Sequence, residues 1–282
     1  MLKYAHHIHY VVRNREDIMA YLEKNFGMKP DDVIEIKRGL KDAIYDIGHT
    51  HIQLSEPSDP NTGMGRFLAT NGPGVYHVAW AVDDIRNVAK GLLAKGTKMR
   101  GKEGIQTSER GYLMSNIELD SSHGLWWQLA EGARDELSPP LGEERILKYV
   151  HHVHYAVRNL KDMMTFLELN FAMKPDDVLE HKEGRMRDAI YDIGQTLIEI
   201  TETSDPNSGI GKFLATNGPG VYYVAWGVDN IQEIARDLVA KGNKLRNGVH
   251  QSSRGYAACN VDFASSHGLW LQLAEGTRET KR

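Results

Sequence analysis

Three histidines within four positions, His6, His7 and His9, open the chain in the run YAHHIHYVVRN, and the run returns as His151, His152 and His154. Imidazole binds divalent metals and moves protons near neutral pH, so such a cluster raises coordination and acid–base chemistry first. Side chains alternate between the two faces of a strand. In HHIHYVV, Ile8, Tyr10 and Val12 share one face and His7, His9 and Val11 the other. His6 then points away from His7, so a three-histidine ligand is not expected. A lone strand histidine is more often structural, and His6, His51 and His123 are read that way.

Three further runs alternate in the same manner. THIQLS sets Ile52 and Leu54 against His51, Gln53 and Ser55. VYHVAWAV sets Tyr76, Val78, Trp80 and Val82 against His77. GLWWQLAE sets Leu125, Trp127 and Leu129 against Trp126 and Gln128. Four strands thus offer one donor each on the face away from the core: His7, Gln53, His77 and Gln128. The second half offers His152, Glu199, Tyr223 and Gln272. These groups converge only if the strands curl around one surface.

The elements that must position them repeat as a whole. DAIYDIG occurs at Asp42 and Asp188, FLATNGPGVY at Phe67 and Phe213, and SSHGLW at Ser121 and Ser265. A near-constant offset of this size marks a duplicated domain, not a solenoid. The boundaries read 1–132 for the first domain, 133–145 for a polar linker with a Pro-Pro pair, and 146–282 for the second. Within the first half, HHIHYVV reads as a strand. NREDIMAYLEKNFGM reads as a helix with Asn14 as cap and Gly27 near its end. Strand-like pieces follow near 33–37, 43–47 and 50–54. After the turn-rich SDPNTG and the NGPG loop the order returns: strand, helix and short strands. Each half is strand-helix-three strands, twice over. NGPG precedes a strand, not a helix, so it is no phosphate loop. The SSHG turns contact substrate or simply need their glycine.

The 282 residues carry a formal net charge of −4 and one cysteine, Cys259. Slight acidity without a basic run argues against nucleic acid and anionic membranes as partners. A single cysteine makes no internal disulfide, which favours a reducing, cytoplasmic setting. The strand pattern begins within a few residues of the start, leaving no room for a signal peptide. No apolar run approaches the roughly 20 residues that span a bilayer.

The fourfold module order, HIHYVV opening each half, GPGVYHVAWAVDDI and the closing GLWWQLAE together resemble the vicinal oxygen chelate superfamily. That group includes glyoxalase I, methylmalonyl-CoA epimerase, extradiol dioxygenases and bleomycin-resistance proteins. The pattern is most similar to the epimerases and covers nearly the whole chain. The resemblance implies an α+β fold of four βαβββ modules in two tandem domains, with curved mixed sheets forming clefts. It also implies a divalent metal (Zn, Co, Ni, Mn or Fe, which the sequence does not distinguish) that chelates substrate oxygens and stabilises an enolate. Carried over by position, the metal ligands are His7, Gln53, His77 and Gln128, with His152 and Glu199 matching in the second half. Gln128 departs from the family's glutamate, and Tyr223 from its histidine. Modules that pair across the halves would instead assemble His77, Gln128, His152 and Glu199, leaving His7, Gln53, Tyr223 and Gln272 as a poorer set. One competent and one degenerate centre is the expectation.

Three functions follow from the resemblance. The first is a metal-dependent isomerase, epimerase or lyase acting on a small carbonyl compound, with Glu199 or Glu183 as the single catalytic base. Glu183 is the one acid near the tip of LEHKEGRMRDA, where Arg38 stands in the first half. The second is an extradiol ring-cleaving dioxygenase, for which the second half lacks two of three ligands. The third is a metal-free small-molecule-binding protein. His9, His154, Trp126, Tyr223 and Gln272 are assigned to substrate contact, and the chain is compatible with a homodimer.

Overall fold

Asn14 begins the first helix as its sequence demands, accepting a hydrogen bond from the Asp17 N–H, and Gly27 ends it in a left-handed turn. In the computed structural model, which describes residues 2–36, 39–101, 104–108, 110–132, 145–181, 184–194 and 196–276, the first half runs as follows. Its elements are β1 (Ala5–Val11), α1 (Arg15–Phe26), β2 (Asp32–Ile36), β3 (Leu40–Ile47), β4 (Thr50–Pro57), α2 (Gly63–Asn71), β5 (Gly74–Ala81), α3 (Ile85–Ala94), β6 (Gln106–Thr107), β7 (Leu113–Asn116) and β8 (Trp127–Glu131). The second half repeats the order: β9 (Tyr149–Val157), α4 (Leu160–Phe171), β10 (Asp177–His181), β11 (Met186–Asp192), β12 (Leu197–Thr203), α5 (Gly209–Asn217), β13 (Gly220–Gly227), α6 (Ile231–Ala240), β14 (Leu245–Gln251), β15 (Ala257–Val261) and β16 (Leu271–Glu275). The linker expected over 133–145 lies, except for Arg145, outside the described residues. No helix among the described residues is long and apolar enough to cross a membrane.

Each half forms one mixed eight-stranded sheet, ordered β2-β3-β4-β1-β5-β8-β7-β6 and β10-β11-β12-β9-β13-β16-β15-β14. The fold is therefore α+β, with two βαβββ modules joined in each sheet. Sheet pairing stays within a half. The cross-half ligand set of His77 and Gln128 with His152 and Glu199 is consequently divided between two sheets.

Helices α2 and α5 were not expected. Glycines at 63 and 65, and at 209 and 211, disguise them as loop. Thr62 and Ser208 supply the caps, each accepting from a backbone N–H three residues on.

By compactness the chain divides into two units that interleave the halves: Met1–Ile8, His77–Leu137 and Val153–Tyr222 in one, and His9–Tyr76, Ser138–His152 and Tyr223–Arg282 in the other. In the first unit the Trp80 indole donates to the Tyr155 hydroxyl at 3.1 Å, and Trp127 stacks on Tyr155 at 5.5 Å. Phe166 and Phe171 extend that aromatic core. The second unit repeats the motif, Trp226 donating to Tyr10 at 3.4 Å. Trp80, Tyr155, Trp226 and Tyr10 are fully buried, where an indole N–H or phenol without a partner is costly.

The NGPG and SSHG motifs belong to this packing. Gly124 and Gly268 have φ of +89° and +87°, and a β-carbon on them would meet Pro219 at 3.0 Å and Pro73 at 3.1 Å. Backbone and contact both demand glycine. Gly268→Ala is expected to destabilise the protein by about 1–3 kcal/mol through strain and overpacking. Gly91→Ala, on α3 with open space around it, is expected to raise stability by about 0.5–1 kcal/mol. Urea midpoints of the two variants check both signs.

Candidate functional site

Strand alternation turns Trp80 and Trp127 to the aromatic core of the first unit and their neighbours His77, Trp126 and Gln128 to the other face. His7 on β1 meets His77 on β5 at 5.5 Å between ring centroids, edge to face. His77 stacks on Trp126 at 5.1 Å, and the Arg100 guanidinium lies over the same indole at 4.2 Å. Asn116 organises the row: its carbonyl oxygen accepts from the Trp126 indole at 2.8 Å and from the Gln128 amide at 2.9 Å. Gln128 is 5% exposed, and its own carbonyl oxygen has no hydrogen-bond partner among the described residues. Four of the sequence-assigned residues, His7, His77, Trp126 and Gln128, are thus brought together.

His6 does not look away. Its Nδ1 lies 2.9 Å from that of His7, and both rings lie against Tyr112, at 4.9 and 5.7 Å. Rotation about the side-chain bonds brings adjacent rings together despite opposed Cβ directions. His151 and His152 do the same at 2.9 Å, against Tyr256.

In the second unit His9 enters a different arrangement. Its Nε2 is 2.7 Å from the Ser55 hydroxyl, which donates to Asp42 at 2.6 Å, while the Gln53 amide donates to the other Asp42 oxygen at 3.0 Å. Because Ser55 spends its proton on Asp42, it accepts from His9, which fixes the His9 proton on Nε2. The first unit contains the duplicate: His154 at 2.7 Å from Thr201, and Thr201 donating to Asp188 at 2.6 Å. Glu199 stands at the Gln53 position. His181 lies beside the aspartate, its Nε2 3.0 Å from Asp188. Glu199 is 7% exposed on β12, on the face that carries Thr201. Glu199 and His77 lie in different sheets, on β12 and β5. Glu183 lies outside the described residues.

The second unit also holds a counterpart of the His77 cluster. His152 meets Tyr223 at 5.6 Å, Tyr223 stacks on Trp270 at 5.1 Å, and Asn260 accepts from Trp270 and Gln272 at 3.2 and 3.1 Å. A phenol thus stands where the first sheet has an imidazole.

Sequence reasoning passed over Asp42, Asp188, Asn116, Asn260, Tyr112 and Tyr256. The two aspartates open the repeated DAIYDIG motif, and a carboxylate retained on a strand face in both halves was the available signal.

Burial is the main reason that the His77 pKa falls to about 3; the nearby Arg100 charge lowers it further, and the Gln128 amide works the other way. His77 is therefore neutral at physiological pH, the form that donates a lone pair.

A family model described as Glyoxalase/Bleomycin resistance protein/Dioxygenase superfamily matches residues 6–113 and 151–259. Among solved structures, a mutant of 4-hydroxymandelate synthase from Streptomyces coelicolor aligns with 100% of this chain and 94% of its own, at 16% identity and a TM-score of 0.76. At that identity the likeness is one of fold. A variant of methylmalonyl-CoA epimerase from Streptomyces coelicolor, in complex with 2-nitronate-propionyl-CoA, is 21% identical over 48% of this chain and 100% of its own, with a TM-score of 0.43. Methylmalonyl-CoA epimerase from Mycobacterium tuberculosis is 18% identical over 52% of this chain and 97% of its own, with a TM-score of 0.44. No curated protein matches the chain.

The buried neutral His77 carries a pH signature. Its folded pKa of about 3 lies below the ordinary 6.5, so the unfolded chain takes up the proton first. The stability it contributes is whole above pH 6.5 and is lost as pH falls toward about 3. In metal-free protein, His77→Gln is expected to flatten the stability slope between those limits by up to about 1.4 kcal/mol per pH unit, one proton's worth. Urea unfolding across that range measures it, and an unchanged slope would contradict the buried neutral imidazole.

Proposed function

The chain belongs to the Glyoxalase/Bleomycin resistance protein/Dioxygenase superfamily, and from that premise we propose that it is a divalent-metal-dependent enzyme of the isomerase, epimerase or lyase type. Its substrate is a small carbonyl compound, and its centre is built on His7, His77 and Gln128. One observation carries the reading: the buried carbonyl oxygen of Gln128, for which the described residues supply no hydrogen-bond partner within bonding geometry, shares a face with His77, an imidazole kept neutral by burial.

The residues fit such an ion. A carbonyl oxygen and two imidazoles are ordinary donors for Zn²⁺, Co²⁺ or Ni²⁺. The set is neutral, and among the described residues no group of three His, Cys, Asp or Glu gathers. Binding is therefore expected to be weaker than at a site with a carboxylate. A divalent cation held there supplies positive charge against the oxyanion of an enolate.

The chain's own residues do the rest. The His6 contact engages Nδ1 of His7, and with His7 as the donor of that pair its Nε2 carries the free lone pair. Asn116 turns the Gln128 amide away, leaving the carbonyl oxygen as its donor. Trp126 walls one side of His77 and excludes water there. The His9–Ser55–Asp42 relay is a separate proton-handling element: it holds a proton on Nε2 and so leaves Nδ1 as the basic nitrogen. Glu199, the sequence-assigned base, belongs with the equivalent His154 relay.

Metal content of the purified chain tests the reading. A near-stoichiometric divalent ion, with a rise in melting temperature on its addition, is expected. Both are expected to be lost in His77→Ala and kept in His123→Ala, an exposed turn position. An ion-free chain that no divalent metal stabilises would favour a metal-free binding protein instead. Oxygen consumption with catechols would favour ring cleavage.

A further inference from the structure

The two sheets treat one arginine differently. Arg100 lies over Trp126, and its Nε is 3.6 Å from a Glu118 carboxylate oxygen. Arg246, its counterpart on β14, lies 4.5 Å over both Trp270 and Phe263. Asp262 replaces Glu118, one methylene shorter, and turns an oxygen back to the Ala264 N–H at 3.0 Å. No ion pair reaches Arg246 among the described residues. Its Nε and Nη2 are buried and have no hydrogen-bond acceptor there.

Those two nitrogens are one edge of the guanidinium, the edge whose parallel N–H bonds match both oxygens of a carboxylate. A buried guanidinium edge left without an acceptor is costly, and such a group calls for an absent partner. The backbone beside it is irregular. Asn247 and Gly248 take φ of +62° and +60°, and the β14–β15 register shifts between Arg246 and Val249. A bulge of this kind re-aims the neighbouring side chain. Cross-strand register sets Arg246 opposite Asn260, and Asn260 opposite Gln272, so the three share one face. The Asn260 carbonyl oxygen is already committed to Trp270 and Gln272. Gln272 is 6% exposed and, like Arg246, keeps an unpartnered atom, its Oε1.

We propose that the second sheet carries a carboxylate-binding site built on Arg246, taking a small carboxylic acid with a planar apolar body. The fork receives the carboxylate, and Phe263 and Trp270 receive the body. This goes beyond the metal reading of the first sheet and does not rest on it.

Benzoate and its neutral isostere benzamide are titrated into the full chain, read by calorimetry and by tryptophan fluorescence. Benzoate is expected to bind, and benzamide to bind at least about tenfold more weakly. Arg246→Gln is expected to weaken benzoate by at least about tenfold. Arg246→Lys, which keeps the charge but not the fork, weakens it in the same direction. Arg236→Gln, an exposed charge on α6, leaves it unchanged. Equal binding of benzamide, no binding of benzoate at millimolar concentration, or full affinity in Arg246→Gln would overturn the proposal. Inorganic phosphate binding as tightly as benzoate would also overturn it. The benzoate–benzamide comparison decides the matter even if both Arg246 variants fail to fold.

Discussion

The two-residue period of a strand is the constraint on which everything else in this chain depends. It lets β5 present Trp80 to a fully buried aromatic core and, three residues earlier, His77 to the opposite face. The same period makes Trp127 core and Trp126 wall, though they are neighbours in sequence. A one-residue slip of β5 or β8 would exchange these roles and put an imidazole or an amide into the Trp–Tyr core. The buried hydrogen bond from Trp80 to Tyr155 works against a slip of β5, and that from Trp226 to Tyr10 against the same slip of β13, because each indole has its acceptor in the native register.

Duplication supplied two copies of this scaffold, and the copies have diverged by chemistry more than by architecture. Where the first holds His77, neutral and stacked on Trp126, the second holds Tyr223 stacked on Trp270 in nearly the same geometry. A phenol is a poor neutral donor for a metal, whereas its ring packs as well as an imidazole. The arginine behind each indole diverged in the complementary sense: Arg100 keeps a nearby carboxylate, and Arg246 has none among the described residues. The proposals assign a cation to one sheet and an anion to the other. That division suits a protein in which one copy was released from the original chemistry.

Much of the fold was legible because its signals were local. Asn14 and Gly27 bound α1, alternation located the strands that carry His7, Gln53, His77 and Gln128, and repeated motifs gave the module order. Helices α2 and α5 were hidden because their glycines carry low helix propensity, and their stability comes from caps and tertiary packing. The site was legible by face but not by contact. His6 was misread because Cβ direction does not fix where a ring ends, and Asp42 was missed because its partners lie on other strands. Module pairing was beyond the sequence altogether, since either arrangement satisfies the same hydrophobic pattern; strand order in each sheet decided it.

The relays show how such divergence stays compatible with folding. Asp42 and Asp188 are 3% and 4% exposed, and a carboxylate so buried must be surrounded by donors. Asp42 has Ser55 and Gln53; Asp188 has Thr201 and His181. Changing Gln53 alone to the glutamate of the second copy would remove one donor and add a second negative charge beside the first. The second copy carries His181 where the first has Ile36, and that imidazole donates in place of the missing amide. The two differences flank Asp188: His181 lies on β10, Glu199 on β12, and the aspartate on β11 between them. Glu199 thus stands in the second sheet together with an added donor, and it sets a carboxyl group on a face where the first sheet has the Gln53 amide.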